Sequence, residues 1–275
     1  MTISVGDRLP EATFMTMTGH GPKKIATSEV FAGQKVVLFA VPGAFTPTCH
    51  AKHLPGFIRL AGEIKAKGVD RIACVAVNDV FVRAHRQATD AIKAERPDLD
   101  VGLTLAMQAP HPVEGGEERA QRILRNLEDV YLEAVAGDDF LGVQTYSRWI
   151  IGPDGVLPPP GDARRTLMGW EFYPEALEDT IRRAWAVTDG TPIVVTENGI
   201  ATEQDEERVE YVERALAGVL RALADGIDVR GYTYWSLLDN FEWAFGYGPR
   251  FGLVSCDRRT FERTPKPSAR WLGDI

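Results

Sequence analysis

The sequence predicts an α/β protein in which helices cover a parallel sheet. Two observations support this fold class. Strand-like and helix-like segments alternate along most of the 275 residues, an order typical of βα units. Polar or reactive side chains also follow several of the predicted strands directly. Because the carboxyl ends of parallel strands carry the chemistry in such folds, these side chains are the candidates for a functional site.

The first predicted strand, helix, strand unit lies in the N-terminal third. VVLFAV at 36–41 and IACVAVND at 72–79 are predicted strands, and HLPGFIRLAGEIKAKG between them is predicted to be helical. A helix at 85–95 and a strand at 101–107 follow. EERAQRILRNLEDVYLEAVA at 117–136 predicts one long helix, with these residues on one face: Ile123, Leu127 and Val130.

Three more strands are predicted in the C-terminal half, in DFLGVQTYS, PIVVTENG and VRGYTYWS. PEALEDTIRRAWAV and EERVEYVERALAGVLRALADG are the helices between them. The Pro- and Gly-rich stretch IIGPDGVLPPPGDARR is expected to be a surface loop.

Composition narrows the function classes. The chain is 44% hydrophobic and 25% charged, which is ordinary for a globular protein. A net charge of −8 without clustered Lys or Arg argues against nucleic-acid binding. The apolar run at 36–45 is too short for a membrane span, so we expect no membrane association and a cytoplasmic location. No metal site or cofactor is expected.

Several motifs in the second half point to one family. TENGI at 196–200 precedes YWSLLDNFEWAFGYGPRFGLV at 234–254, and GDDFLGVQTYSR and MGWEFYPEAL come earlier. From about His85 onward the chain resembles family 1 glycoside hydrolases, the retaining β-glucosidase and β-galactosidase group. The resemblance implies that residues 83–275 form the last four βα units of a (β/α)8 TIM-type barrel. It also implies a small-molecule β-glycoside as substrate.

The same resemblance implies roles for six residues. Glu197 matches the family's nucleophile, and Tyr146 matches the tyrosine that hydrogen-bonds it. The other four match residues that bind the sugar or close its pocket: Trp235, Glu242, Trp243 and Phe251. A retaining glycosidase needs a carboxylate to attack the anomeric carbon and aromatic faces to stack on the sugar, so these residue types suit the chemistry.

The second catalytic carboxyl group is missing from this pattern. Retaining glycosidases use two carboxyl groups about 5 Å apart, and the family's acid lies in an Asn-Glu-Pro motif that does not occur in this sequence. The resemblance therefore implies impaired activity. Asp79, at the end of a predicted strand, is a candidate replacement. We prefer to interpret Asn78 and Asp79 as an ordinary turn, because Asp is one methylene shorter than Glu and the geometry was not selected for this role.

The first third of the chain resembles a different family. PGAFTPTC at 42–49, with VGDRLPEATF and KAKGVDRIACVAVNDVFV, is similar to a peroxiredoxin-5-like redoxin. The resemblance implies a thioredoxin-like fragment over residues 1–82 that acts on peroxide. Cys49 is then the peroxidatic thiol, stabilised as a thiolate at the first turn of a helix, and Thr46 hydrogen-bonds the peroxide. Cys74, in an apolar strand, is expected to be an inert core thiol.

The chain is thus interpreted as a fusion of two truncated parts, joined near residues 78–88. Three functions stay open: an impaired family 1 glycosidase, a thiol peroxidase acting through Cys49, and an inactive scaffold. The six main strands could form one partial barrel. Alternatively, they form two fragments with exposed sheet edges, which would favour homo-oligomers.

Overall fold

The computed structural model describes four stretches of the chain: residues 6–18, 21–41, 54–76 and 78–275. The chain divides into two compact units, Met1–Phe81 and Val82–Ile275.

The N-terminal unit contains a hairpin and a parallel strand pair. Its strands are β1 (Thr13–Thr18), β2 (Gly21–Ala26), β3 (Val36–Val41) and β4 (Arg71–Ala76). Its helices are α1 (Thr27–Phe31), α2 (Leu54–Arg59) and α3 (Ala61–Ala66). β1 and β2 pair in antiparallel fashion, and β3 and β4 pair in parallel. The predicted strand at 36–41 is confirmed, and the strand predicted at 72–79 is confirmed only as far as Ala76. The hairpin was not predicted.

Helix α4 (Asn78–Glu95) crosses the division between the units. The sequence predicted a strand as far as Asp79 and a helix only from His85, and this boundary was wrong. Asn78 and Asp79 lie in the first turn of α4. The candidate acid Asp79 therefore begins a helix instead of ending a strand.

The C-terminal unit is built on a four-stranded parallel sheet. Its strands are β5 (Gly102–Ala106), β6 (Ala109–Pro112), β7 (Phe140–Gln144), β8 (Arg148–Gly152), β9 (Gly155–Leu157), β10 (Ile193–Asn198), β11 (Val229–Tyr234), β12 (Val254–Cys256) and β13 (Arg263–Pro265). The main sheet has the order β11-β10-β7-β5, and β6-β8-β9 and β12-β13 form two smaller sheets. Among the described residues β3 and β4 pair only with each other.

The helices after α4 are α5 (Glu117–Leu124), α6 (Val130–Val135), α7 (Ala176–Val187), α8 (Asp205–Ala224) and α9 (Pro267–Asp274). Helix α7 packs against β7 and β10, and α8 packs against β11. The core lies between the helices and the sheet, where Leu141, Val143, Ile193 and Val195 are fully buried. Because side chains alternate across a strand, the intervening residues point to the opposite face. The helices predicted at 174–187 and 206–226 are confirmed as α7 and α8.

The predicted long helix at 117–136 is interrupted. A π-helical segment, Arg125–Asp129, separates α5 from α6. A π-helical turn inserts an extra residue into the helical repeat and so rotates the face that follows. As a result Val130, predicted to share a face with Ile123, is 41% exposed, while Leu132 is fully buried.

Two further expectations were wrong. The stretch predicted as a surface loop contains the antiparallel hairpin of β8 and β9. Cys74 is exposed, because the two-stranded sheet of the N-terminal unit buries little of its surface. None of the described helices is long and apolar enough to cross a membrane.

Candidate active site

Glu197 lies at the carboxyl end of β10, and each of its carboxylate oxygens accepts a hydrogen bond. The Tyr146 hydroxyl donates to Oε2 at 2.5 Å. The Gln144 side-chain Nε2 donates to Oε1 at 3.0 Å. Two donors from one neighbouring segment thus fix the orientation of this carboxylate.

An irregularity in strand pairing places Glu197 opposite Gln144. Val195 pairs with Val143, but the next pair is Glu197 with Gln144, so β10 has one extra residue there. A bulge of this kind re-aims the side chain that follows it. Glu197 is therefore brought to the Gln144 side chain although Val195, two residues earlier, points into the core.

Glycine at position 199 permits the ends of β10 and β11 to approach closely. A Cβ atom on Gly199 would lie 2.2 Å from the backbone oxygen of Trp235. The Trp235 amide donates to the Asn198 carbonyl at 2.9 Å. The glycine of TENGI is thus required by a close backbone contact that holds Trp235 beside the candidate nucleophile.

Aromatic side chains pack around the Tyr146 ring. Its centroid lies 5.7 Å from that of Trp170 and 5.8 Å from that of Phe251. Phe251 is 2% exposed, whereas Trp170 is 37% exposed. Tyr146 is therefore held by packing on two sides, and Trp170 offers an apolar face to solvent.

Burial raises the pKa of the Tyr146 phenol well above its ordinary value, and the bond to Glu197 raises it further. The phenol therefore stays protonated and acts as a donor. Burial, followed by the negative charge of Glu197, also raises the pKa of the Glu242 carboxyl. A hydrogen bond from the Trp235 side chain acts in the opposite direction on Glu242.

The structure thus brings five of the predicted residues into one neighbourhood: Glu197, Tyr146, Trp235, Glu242 and Phe251. Trp243 differs, since its side chain is 82% exposed. Thr46 and Cys49 lie outside the described residues. No group of three or more His, Cys, Asp or Glu side chains could hold a metal ion in the described part of the chain.

A cavity of about 340 Å³ adjoins this neighbourhood. Tyr146 and Trp170 line it together with apolar residues of the β8–β9 hairpin. Arg148 and Glu171, also in its wall, form an ion pair with two hydrogen bonds. The cavity thus has an apolar wall and one ion pair. Tyr146, which hydrogen-bonds Glu197, separates the cavity from that carboxylate, and Trp170 packs against Tyr146.

Sequence reasoning missed Gln144 and Trp170 as members of the site. Gln144 is the last residue of β7, so a polar side chain at a strand end was the available signal. Trp170 lies in the MGWEFYPEAL motif, which was noted only as part of a family resemblance. Its contact with Tyr146 depends on the packing of a loop and leaves no periodic signal.

A carboxylate held by neutral donors at the ends of parallel strands, beside aromatic faces, is the type of site found in retaining glycosidases. Comparisons with known families agree with this class. Residues 160–275 match the model of glycosyl hydrolase family 1, and residues 4–105 match that of redoxin. The chain therefore joins a redoxin-like segment to a segment similar to family 1 glycosyl hydrolases, and the predicted two-part fusion is confirmed.

Individual relatives agree with this division. The β-galactosidase of Sulfolobus acidocaldarius is 33% identical over 228 residues, which cover 71% of this chain and 46% of the relative. The chloroplastic peroxiredoxin-2E-2 of Oryza sativa subsp. japonica is 61% identical over 83 residues, which cover 30% of this chain and 37% of the relative.

A crystal structure of the β-glycosidase BGL167 is similar with a TM-score of 0.69 and 57% identity. The likeness covers 71% of this chain and 47% of that one. The chain thus spans less than half the length of these three relatives.

Proposed function

We propose that the C-terminal unit is a glycosidase-type site that forms a covalent glycosyl-enzyme with β-glycosides through Glu197. The observation that carries this proposal is the doubly hydrogen-bonded carboxylate of Glu197 at the end of β10. A Glu197 oxygen forms a bond to the anomeric carbon, and the bond to the leaving oxygen breaks with its electron pair on that oxygen. The resemblance to family 1 enzymes supports the same assignment.

The sugar is proposed to lie between Glu197 and the carboxyl group of Glu242. Trp235 would form the aromatic floor, and Glu242 and Trp243 would bind hydroxyl groups. The four parallel strands β5, β7, β10 and β11 are proposed to correspond to the last four βα units of a (β/α)8 barrel. The TM-score of 0.69 over 71% of the chain supports this correspondence.

Hydrolysis is proposed to be slow, because the sequence contains no Asn-Glu-Pro motif. Without an acid to protonate it, only a leaving group that departs readily as an anion should be released. Activated aryl β-glycosides are therefore the expected substrates, with the aryl group in the cavity beside Trp170. Equal rates of aryl β-glucoside hydrolysis by the wild type and by Asp79→Ala would remove Asp79 from the mechanism.

Covalent labelling tests the proposal directly. A dinitrophenyl 2-deoxy-2-fluoro-β-glucoside reacts with a glycosidase nucleophile without help from an acid. We expect a labelled chain, with the label on the peptide that contains Glu197, detected by mass spectrometry. Glu197→Gln should abolish the label, whereas Glu133→Gln, at an exposed position on α6, should keep it. An unlabelled wild-type protein, when a complete family 1 β-glucosidase is labelled in parallel, would rule the proposal out.

The high identity to a peroxiredoxin favours a second candidate function for the N-terminal unit. We propose that Cys49 attacks the peroxide bond as a thiolate, with Thr46 as a hydrogen-bond donor to the peroxide. One oxygen becomes the sulfenic acid of Cys49, and the other leaves as hydroxide or alkoxide and takes up a proton. Peroxide-dependent labelling of Cys49 by a sulfenic-acid probe is expected in the wild type and in Cys74→Ser, and not in Cys49→Ser. If neither unit is labelled in its own assay, the inactive scaffold is the remaining function.

The protein is also proposed to self-associate through the edges of its main sheet. Among the described residues β5 pairs only with β7, and β11 pairs only with β10. Unpaired strand edges favour pairing with another chain. Sedimentation analysis at several protein concentrations should show association, and a monomer throughout would contradict it.

A further inference from the structure

A buried hydrogen-bond network lies directly behind the candidate nucleophile. Asn198, the residue after Glu197, is fully buried. Its Nδ2 donates to the Thr145 carbonyl at 2.8 Å and to the Tyr211 hydroxyl at 3.2 Å. Its Oδ1 accepts from the Tyr232 hydroxyl at 3.0 Å. The Asn198 side chain thus connects β10 to the segment after β7, to α8 and to β11.

Tyr211 extends this network to the tyrosine of the site. Its hydroxyl donates to the backbone carbonyl of Tyr146 at 2.7 Å, and the residue is fully buried. Asn198 and Tyr211 therefore hold two consecutive carbonyls, those of Thr145 and Tyr146. Both lie beyond Gln144, where β7 and its regular pairing end.

We propose that Tyr211 is a positioning residue for Tyr146: its hydroxyl fixes the Tyr146 backbone so that the Tyr146 phenol reaches Glu197. The position of that phenol depends on backbone outside the sheet ladder, so it needs another restraint. The Thr145 amide gives one through a bond to the Glu197 carbonyl at 3.2 Å. The Tyr211 hydroxyl, on α8, gives a second restraint through its bond to the Tyr146 carbonyl. The bond from Asn198 Nδ2 keeps the Tyr211 hydroxyl oriented.

A purely structural role for Tyr211 is the competing explanation. Its ring packs edge-on against Phe172 with centroids 5.6 Å apart, and a buried tyrosine hydroxyl usually finds some partner. A phenylalanine would keep this packing and lose only the hydroxyl. The two explanations differ in one respect: a positioning residue acts through Tyr146, and a structural residue acts independently of it.

A double-mutant cycle separates them. The rate of Glu197 labelling is measured for the wild type, Tyr211→Phe, Tyr146→Phe and the double variant. We expect Tyr211→Phe to slow labelling about fivefold to tenfold, since a net hydrogen bond contributes roughly 1 kcal/mol, and to have little effect when Tyr146 is already Phe. Equal slowing in both backgrounds, or no slowing, would overturn the proposal. This readout depends on the proposed function.

A second measurement does not depend on activity. A crystal structure of Tyr211→Phe shows whether the Tyr146 phenol has moved. If Tyr211 positions Tyr146, the distance from the Tyr146 hydroxyl to Glu197 Oε2, which is 2.5 Å in the wild type, should lengthen beyond hydrogen-bond reach. An unlabelled wild-type protein would contradict the proposed function alone, whereas an unchanged distance in Tyr211→Phe would contradict the positioning role.

Tyr131→Phe is the matched control. Tyr131 lies on α6 and packs against the same core, so the substitution also removes one hydroxyl from a partly buried ring. We expect its labelling rate and its distance from the Tyr146 hydroxyl to Glu197 Oε2 to equal those of the wild type. Unfolding of each variant is measured in parallel, so that a loss of folded protein is not mistaken for a loss of positioning.

Discussion

The candidate nucleophile depends on two residues from one neighbouring segment. The hydroxyl of Tyr146 and the amide of Gln144 each satisfy one oxygen of Glu197. Hydrogen bonds to a charged group are roughly twice as strong as neutral ones, and here they fix the orientation of the Glu197 carboxylate. Glu197, Tyr146 and Gln144 are therefore expected to act as one unit.

Tyr146→Phe tests this dependence. The substitution keeps the ring between Trp170 and Phe251 and removes only the hydroxyl. We expect Glu197 labelling to slow on the order of 10- to 100-fold, because a hydrogen bond to a charged group contributes about 1.5–3 kcal/mol. Labelling kinetics with the fluoro-glycoside provide the measurement. A rate within about twofold of the wild type, which is well under 1 kcal/mol, would show that the hydroxyl does not orient the carboxylate.

Gly199 is the residue on which the approach of β10 and β11 depends. An alanine Cβ would meet the Trp235 oxygen at 2.2 Å, so the backbone would have to shift. We expect Gly199→Ala to lower the free energy of unfolding by about 1–3 kcal/mol, typical of overpacking. Gly161→Ala is the control, since nothing lies within 4 Å of a Cβ atom there. Equal denaturation midpoints for the two variants would contradict this reading of Gly199.

At the scale of elements, the π-helical segment Arg125–Asp129 has the clearest consequence. It contains Glu128, which is only 3% exposed and accepts a hydrogen bond from the Gln108 amide at 2.8 Å. Arg183 lies 2.6 Å from Glu128 and also pairs with Asp129. Burial raises the pKa of the Glu128 carboxyl more than the charge of Arg183 lowers it, so the pKa of Glu128 is about 7.

This pKa predicts that stability falls as pH rises. Between the ordinary value of 4.5 and about 7, the folded protein retains a proton that the unfolded chain releases. The stabilisation is therefore complete below pH 4.5 and is lost as pH rises through 7. The contribution of Glu128 to the free energy of unfolding is at most roughly 3 kcal/mol. Denaturant unfolding at about pH 5 and about pH 8 should show this loss in the wild type.

Glu128→Gln should remove that part of the pH dependence, because a glutamine stays neutral. Glu133→Gln is the matched control, since Glu133 is exposed on the adjoining helix. If the two variants show the same change between the two pH values, Glu128 is not the group responsible.

The elements that sequence predicted well have an uninterrupted apolar or amphipathic pattern. The helices α7 and α8 and the strands β3, β5, β7, β10 and β11 were predicted within a few residues. The π-helical segment was not predicted, because the apolar periodicity of residues 117–136 does not show the extra residue in the helical repeat. The same holds in the site: Glu197 and Tyr146 belong to recognisable motifs, whereas Gln144 and Trp170 join them through strand register and loop packing.

At the scale of the whole molecule, the two units differ in their cores. Among the described residues, the buried hydrophobic side chains all lie between Leu103 and Leu253, in the C-terminal unit. In the described part of the N-terminal unit, large apolar side chains are exposed: Leu38 by 45%, Ile58 by 65% and Leu60 by 41%. This described part therefore has less apolar burial to oppose its conformational entropy, which predicts easier local opening.

Limited proteolysis should therefore remove the N-terminal unit first. We expect a resistant fragment that begins before His85, because His85 and Arg86 of α4 bind the carboxylate of Asp138. His85 Nε2 and Arg86 Nη1 each lie 2.5 Å from a carboxylate oxygen of Asp138, whose side chain is 1% exposed. Mass spectrometry of the fragment identifies its first residue. This outcome would also support the predicted boundary between residues 82 and 83.

Asp138→Asn tests whether those contacts protect the helix. It keeps the shape of the side chain but loses the negative charge that holds Arg86 and the His85 ring, so new cleavage within α4 is expected. Asp90→Asn, at an exposed position in the same helix, should leave the pattern unchanged. Early cleavage between β7 and β11 in the wild type would contradict the predicted order, because it would place the less stable region within the buried core of the C-terminal unit.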